Sequence, residues 1–140
     1  NQQPISALML DVDHFKRIND SYGHAAGDIA LRNLAQLIKT NLRDSDLACR
    51  FGGEEFAVLL PNTNAEEAMG MANMLKQLMA STIIALADEN ALSLTASFGI
   101  AENGDSVEDL LNHADKAMYA AKNYGRNHVM SYCHISKQFA

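Results

Sequence analysis

Apolar and polar positions along this chain switch between two periods, and the switches mark its elements. ISALMLDVD (5–13) is almost continuously apolar and ends in acids, as expected of a buried strand whose C-terminal end is left for chemistry. FKRINDSYGH (15–24) is polar and rich in turn formers, and predicts a connecting loop. From Gly27 to Leu42 the positions Leu31, Leu34, Ile38 and Leu42 follow helical spacing. Asp28 then stands in the first turn of that helix, where an acid suits the dipole.

DLACRF (46–51) and EFAVLLP (55–61) predict two strands. Gly52-Gly53 between them predicts a tight turn that uses glycine's access to positive φ. A second helix over 65–81 places Ala68, Met71, Ala72, Leu75 and Met79 on one face, its methionines filling core. LSLTASFGIA (92–101) predicts a third strand region after this helix. Ser106, with Asp109 three residues on, caps a third helix that buries Val107, Leu110, Leu111, Ala114, Met118 and Ala121 and ends at Gly125. HVMSYC (128–133) predicts a last short strand.

The order β-α-β-β-α-β, then α-β, predicts an α+β fold. Its first six elements match the ferredoxin-like split βαβ, a sheet containing antiparallel pairs with helices on one face, to which a C-terminal helix and strand are added. That fold hosts many functions, so function rests on particular residues.

Composition narrows the classes. A chain of 140 residues, 48 % apolar and 20 % charged, is a single globular domain with a proper core. Its formal net charge of −6 argues against a nucleic-acid partner, and a polyanionic substrate would need metal ions or local cations. Cys49 and Cys133 have no metal-ligand spacing and are expected to be small, reduced core residues. No apolar run reaches the roughly 20 residues of a membrane span and no signal peptide is evident, so the expected compartment is the cytoplasm. The sequence opens almost directly on a strand without an initiating Met. It is therefore expected to be a piece of a longer protein, with a sensor or membrane anchor upstream.

The candidate chemistry lies at element ends. Asp11 and Asp13 close the first strand, and Glu54-Glu55 open the strand predicted to pair with it. Carboxylates converging from two segments suit Mg²⁺, which takes one or two of them together with water and substrate phosphate oxygens. Taken alone, each acidic tip is more often plain solvated surface. The Gly-Gly turn beside them admits a phosphate close to the backbone. Lys16, Lys122 and Arg126 are cations where a phosphate tail would need them, although a cation at a helix C-terminus also stabilises by dipole alone. The five histidines have no metal-ligand spacing, and His14 and His24 fall in the polar segment.

RFGGEEF (50–56) resembles the signature of the GGDEF domain in its GGEEF form. LMLDVDHFKRINDSYGHAAGD (8–28), RDSD (43–46), LTASFGIA (94–101) and ADKAMYAAKNYGRN (114–127) resemble further segments of that family, so the likeness spans essentially the whole chain. The resemblance implies a nucleotidyl cyclase type of fold and a diguanylate cyclase, which condenses two GTP into cyclic di-GMP and releases pyrophosphate. It implies Mg²⁺, with Mn²⁺ as a substitute, held by Asp11, the carbonyl of Val12 and Glu54. Glu54 would also help deprotonate the attacking hydroxyl, and Lys16 would stabilise phosphate charge. Asn19 and Asp28 would read guanine with His24 nearby, Gly52 and Gly53 would give the phosphates room, and Lys122 and Arg126 would grip the terminal phosphates. Glu55, the strand neighbour of Glu54, should point the other way and is given the weaker role.

Arg43 and Asp46 stand where the family carries its RxxD motif, which implies an inhibitory cyclic di-GMP site. The bare pattern is common, and read alone it is a surface ion pair worth about 0–1 kcal/mol. The family acts as a homodimer, each domain holding one GTP. A D-x-L-T-G-L-x-N-R-R segment that usually precedes the first strand is absent. Residues 1–140 therefore read as a domain truncated at its N-terminus, with weakened GTP binding or turnover. The alternative is a non-catalytic module that binds GTP or cyclic di-GMP; a further one is a cyclase of the same fold with a different cyclic nucleotide product. Retention of Asp11, Lys16, Gly52, Gly53, Glu54 and Glu55 favours the enzyme.

Overall fold

Five strands form the main sheet of the computed structural model, which describes residues 3–86 and 89–138. β1 (Ile5–Val12) lies at its centre, antiparallel to β3 (Glu55–Pro61) on one side and β6 (Ala96–Glu102) on the other. β2 (Leu47–Arg50) pairs with β3 at one edge, and β7 (Val129–Ser131) runs parallel to β6 at the other, giving the order β2-β3-β1-β6-β7. The apolar run of β1 follows from this place, because a central strand covered on both faces has no water-facing side.

Alternation along β1 divides the core in two. Leu8, Leu10 and Val12 join Phe56, Val58, Phe98 and Ile100 beneath α2 (His24–Thr40) and α3 (Ala65–Ser81). Ala7 and Met9 face the other way, with Ala57 and Ala101, onto Leu110, Ala114 and Met118 of α4 (Val107–Asn123). The added C-terminal helix thus covers the second face of the sheet. Its approach is close because the facing residues are small: a Cβ on Gly99 of β6 would lie 2.1 Å from the Ala114 carbonyl oxygen and 2.1 Å from the Met118 nitrogen.

Caps explain where two helices begin. Asn64 and Glu67 form a reciprocal capping box at α3, with bonds of 2.8 and 3.0 Å. The Ser106 hydroxyl accepts from the Asp109 N–H at 3.1 Å, as the spacing predicts.

Several expectations are corrected. The segment 15–24 is not a loop. Phe15–Tyr22 forms α1, entered through His14 at φ 55° and ended at Gly23 at φ 91°. Its Phe15, Ile18 and Tyr22 are spaced three and four apart, a helical signal outweighed by the polar composition. α2 begins at His24, so Asp28 stands in its second turn, past the orphan amides of the helix start. The region 92–101 is divided: β4 (Ile84–Ala85) and β5 (Ala91–Leu92) form a separate hairpin, and β6 starts only at Ala96. Val107 is half exposed at the start of α4, and Cys49 and Cys133 are both exposed, not core. The final segment turns from β7 into a short helix, α5 (Tyr132–Gln138), which apolar patterning gave no reason to expect. Neither Gly52 nor Gly53 has a positive φ; among the described glycines only Gly23 and Gly125 do.

Candidate active site

α1, the start of α2 and the β2–β3 loop enclose a cleft of about 320 Å³ lined by Phe15, Lys16, Asn19, His24, Asp28, Leu31, Arg50, Gly53 and Glu54. Six residues singled out from the sequence (Lys16, Asn19, His24, Asp28, Gly53 and Glu54) converge here from three separate segments. The helical form of 15–22 is what allows it, since residues three apart on a helix share a face. Asn19 Oδ1 is shielded from solvent with no hydrogen-bond partner among the described residues. It lies over Gly27, where a Cβ would stand only 2.0 Å from it. A buried acceptor left open in this way is one that a ligand N–H or a bound water satisfies.

Glycine at the β2–β3 loop leaves space. A Cβ on Gly53 would meet nothing within 4 Å, and one on Gly52 only the Glu55 Cβ at 3.8 Å. Arg50 holds the loop from the side: its Nε donates to the Gly52 and Gly53 carbonyls at 3.2 and 3.1 Å, and its Nη2 to Gly53 at 2.6 Å. Arg50 was assigned no role from the sequence. The available signal was a guanidinium donor two residues before a loop of bare carbonyls.

A second group of charges lies behind Glu54, on the α4 side of the sheet. Asp11, 3 % exposed, pairs with Lys122 from the last turn of α4. The cross-strand partner of Asp11 is Glu55. Glu54 meets this strand through its backbone, its carbonyl accepting from the Val12 N–H at 3.2 Å. The acids thus divide as alternation requires, but with a different emphasis from the sequence reading: Glu54 lines the cleft, while Glu55 is the acid set opposite Asp11.

Burial pushes the Asp11 carboxyl above its usual range, with the Lys122 ammonium opposing the rise. Burial raises Glu55 too, and the Asp11 and Asp115 carboxylates add to it. The raised pKa means that Glu55 favours the fold most when protonated, below its ordinary value of 4.5, and that this support is lost as pH rises through the folded value. In metal-free buffer Glu55→Gln should therefore raise Tm at neutral pH, with the gain fading as the pH is lowered towards about 4. Thermal melts at both pH values check this; a gain that grows on acidification would contradict the assignment.

Asp11 at the end of β1, with Glu54 and Glu55 on the facing segment, offers carboxylates of the kind a hard divalent cation takes. Among the described residues no group of three His, Cys, Asp or Glu side chains is placed to hold a metal unaided. Two adjacent carboxylates, with the remaining positions left to water and phosphate, are the donor set Mg²⁺ takes.

Asp13 plays a different part from Asp11. Its carboxylate, 5 % exposed, accepts from Ser97 Oγ and Thr95 Oγ1 at 2.7 Å each and from the Asn127 N–H at 2.9 Å. The turn it holds is unusual: Gly125, Arg126 and Asn127 have successive φ values of 123°, 65° and 48°. A left-handed residue other than glycine costs about 1–2 kcal/mol, less for Asn. Arg126 is exposed and has no ion-pair partner among the described residues.

Arg43 and Asp46 lie elsewhere, on a larger groove of about 540 Å³ between α2 and β2 that is also lined by Arg32, Lys39 and Arg50. The Asp46 side chain is fully buried and is spent on Arg43, accepting from its backbone N–H at 2.9 Å and from Nη2 at 2.7 Å. Arg43 Nη2 also donates to the Pro61 carbonyl and Thr63 Oγ1 at 2.9 and 2.6 Å. Of this pair, the Arg43 side chain is half exposed and the Asp46 side chain is not exposed at all. Among the described residues no helix is long and apolar enough to cross a membrane.

Comparison with known proteins gives a consistent result. Residues 1–128 match the family described as "Diguanylate cyclase, GGDEF domain". Diguanylate cyclase A of Treponema denticola is 42 % identical over 131 residues, which cover 91 % of this chain and 35 % of that protein. The response regulator PleD of Caulobacter vibrioides is 41 % identical over 131 residues, 91 % of this chain and 29 % of PleD. The chain thus spans well under half the length of these relatives. Among solved structures, the GGDEF domain of DgcB from Caulobacter crescentus, in complex with c-di-GMP, matches with a TM-score of 0.89 at 33 % identity, covering 93 % of this chain and 76 % of that one. The active GGEEF domain of a diguanylate cyclase from Vibrio cholerae matches with a TM-score of 0.85 at 33 % identity, covering 93 % and 83 %.

Proposed function

Since the chain belongs to the GGDEF family, we propose that residues 1–140 act as a diguanylate cyclase domain that condenses two GTP into cyclic di-GMP. The observation that carries this reading is the convergence of Lys16, Asn19, His24, Asp28 and Glu54 on one cleft, backed by the Asp11, Lys122 and Glu55 charges.

The roles follow from chemistry. Asn19 and Asp28 bind the guanine edge: a carboxylate accepts from N1–H and the exocyclic amine, which adenine does not present in that pattern. His24 closes the pocket beside them. Gly52 and Gly53 leave the phosphates access to the backbone, Lys16 neutralises phosphate charge, and Lys122 and Arg126 take the terminal phosphates. Glu54 accepts the proton of the 3′-hydroxyl as that oxygen bonds to an α-phosphorus, and the α–β bridging bond breaks to release pyrophosphate. Each product needs two such displacements. Asp11, the Val12 carbonyl and Glu54 would hold Mg²⁺ (or Mn²⁺), with Glu55 adjoining; the ion, when bound, supplies charge neutralisation at the phosphates.

One cleft holds one GTP, so two domains facing each other as a homodimer complete the reaction. The relatives are longer proteins, and an upstream sensor that brings two copies together is the proposed control. The domain is assigned to the cytoplasm, with its parent protein as the element that reaches a membrane where one does. Incubating the dimeric protein with GTP and Mg²⁺ and separating the products by chromatography tests the reading. A sample that binds GTP but forms no cyclic di-GMP would refute it in favour of a binding module.

Arg43 is proposed to bind cyclic di-GMP as an inhibitor, with buried Asp46 as the support that aims it. Arg43→Ala should weaken cyclic di-GMP binding by calorimetry at least about tenfold, the loss expected for a charge-assisted bond to phosphate. Undiminished affinity would remove the site from Arg43.

A further inference from the structure

We propose that Asp13 is a positioning residue for nucleotide binding: its buried carboxylate fixes the 125–127 turn so that Arg126 is presented to the terminal phosphates. The inference rests on the GTP reading above, and in particular on Arg126 as a phosphate ligand.

Three observations converge on it. The carboxylate is engaged inside the protein, by two hydroxyls of β6 and its approach and by one backbone N–H of the turn, which take three of its roughly four acceptor positions, and it is buried, so Asp13 is committed to structure rather than to a substrate. The turn it holds keeps two successive non-glycine residues in the left-handed region, a backbone state that persists only where its surroundings enforce it. Those surroundings are identifiable. The Arg126 N–H donates to the Ala121 carbonyl at 3.1 Å, the Arg126 carbonyl accepts from the His128 ring at 2.5 Å, and the Asn127 N–H is held by Asp13. Arg126 is thus fixed on both sides through its backbone while its side chain is exposed, with no ion-pair partner among the described residues. A fixed backbone beneath an exposed guanidinium lowers the entropic cost of gripping an anion. Asp13 also sits two residues beyond Asp11, which pairs with Lys122, so the end of one strand sets both cations of the α4 terminus.

The test compares 3′-deoxy-GTP, which lacks the attacking hydroxyl, with GMP, which lacks the terminal phosphates. Calorimetry on native protein should show tighter binding of 3′-deoxy-GTP. Asp13→Ala, which removes the acceptor that holds Asn127, should cut that preference about tenfold while GMP affinity stays. Adding Arg126→Ala to Asp13→Ala should cost little more, because Arg126 is already misplaced. Thr95→Val with Ser97→Ala removes the other two donors and leaves the Asn127 bond, so the preference should be kept even if Tm falls. If Asp13→Ala does not fold, an amide-to-ester replacement at the nitrogen of residue 127 deletes the single N–H and should give the same loss. A folded Asp13→Ala or ester variant with native preference overturns the positioning role, as does an equal loss in the hydroxyl double variant. Native protein that binds 3′-deoxy-GTP no better than GMP overturns the Arg126 assignment itself, and the proposal with it.

Discussion

Replacing Gly99 by alanine should leave the domain largely destabilised, with a loss of about 3 kcal/mol or more. The added Cβ would stand 2.1 Å from both the Ala114 oxygen and the Met118 nitrogen. Both atoms are backbone, so no side chain can swing away, and either β6 or α4 must move as a whole. β6 is tied by hydrogen bonds to β1 and β7, and α4 provides the cover for one face of the sheet. Against a total stability of roughly 5–15 kcal/mol, that loss is a large fraction. Urea titration and thermal melts measure it, and a Tm fall of about 10 °C or more is expected. A variant melting within about 2 °C of the native protein would mean that the helix stands off the sheet.

Glu54→Gln should reduce cyclic di-GMP formation by at least about 100-fold, the scale of a lost general base. The glutamine is isosteric and Glu54 is only part-buried on a loop, so Tm should be nearly unchanged. Initial rates with saturating GTP and Mg²⁺, alongside a melt of each protein, separate chemistry from folding. Retained turnover in a folded variant would move the proton acceptor to another group. Glu55, set opposite Asp11, is the first to examine.

Much of this site was legible in the sequence because its residues sit where elements change. Asp11 ends an apolar run, Glu54 follows two glycines, and Lys122 and Arg126 flank a helix end. Less legible was what depends on backbone geometry. α1 was hidden because only Phe15 and Ile18 pack against the core, partly buried, among polar neighbours, yet its helical form is what sets Lys16 and Asn19 on one cleft. Gly52 and Gly53 signal a turn, but whether glycine is needed for φ or for space is decided by the fold, and here it is space. Alternation alone separates Glu54 from Glu55, but which of them lies opposite Asp11 is decided by the strand register, and it is Glu55. Asp13 and Arg50 were opaque for a shared reason. Each acts on backbone groups far or near along the chain, and such partners leave no mark in residue type.

The bonds from Asp11 to Lys122 and from Asp13 to Asn127 join positions 111 and 114 residues apart. A ribosome therefore releases every acid and glycine of the signature long before the residues that complete the site. A nascent or prematurely ended chain would carry the recognisable motif with Asp11 unneutralised and one sheet face bare. Such fragments should fold poorly and be inert, so the order in which the chain is made delays the site until its last elements are present.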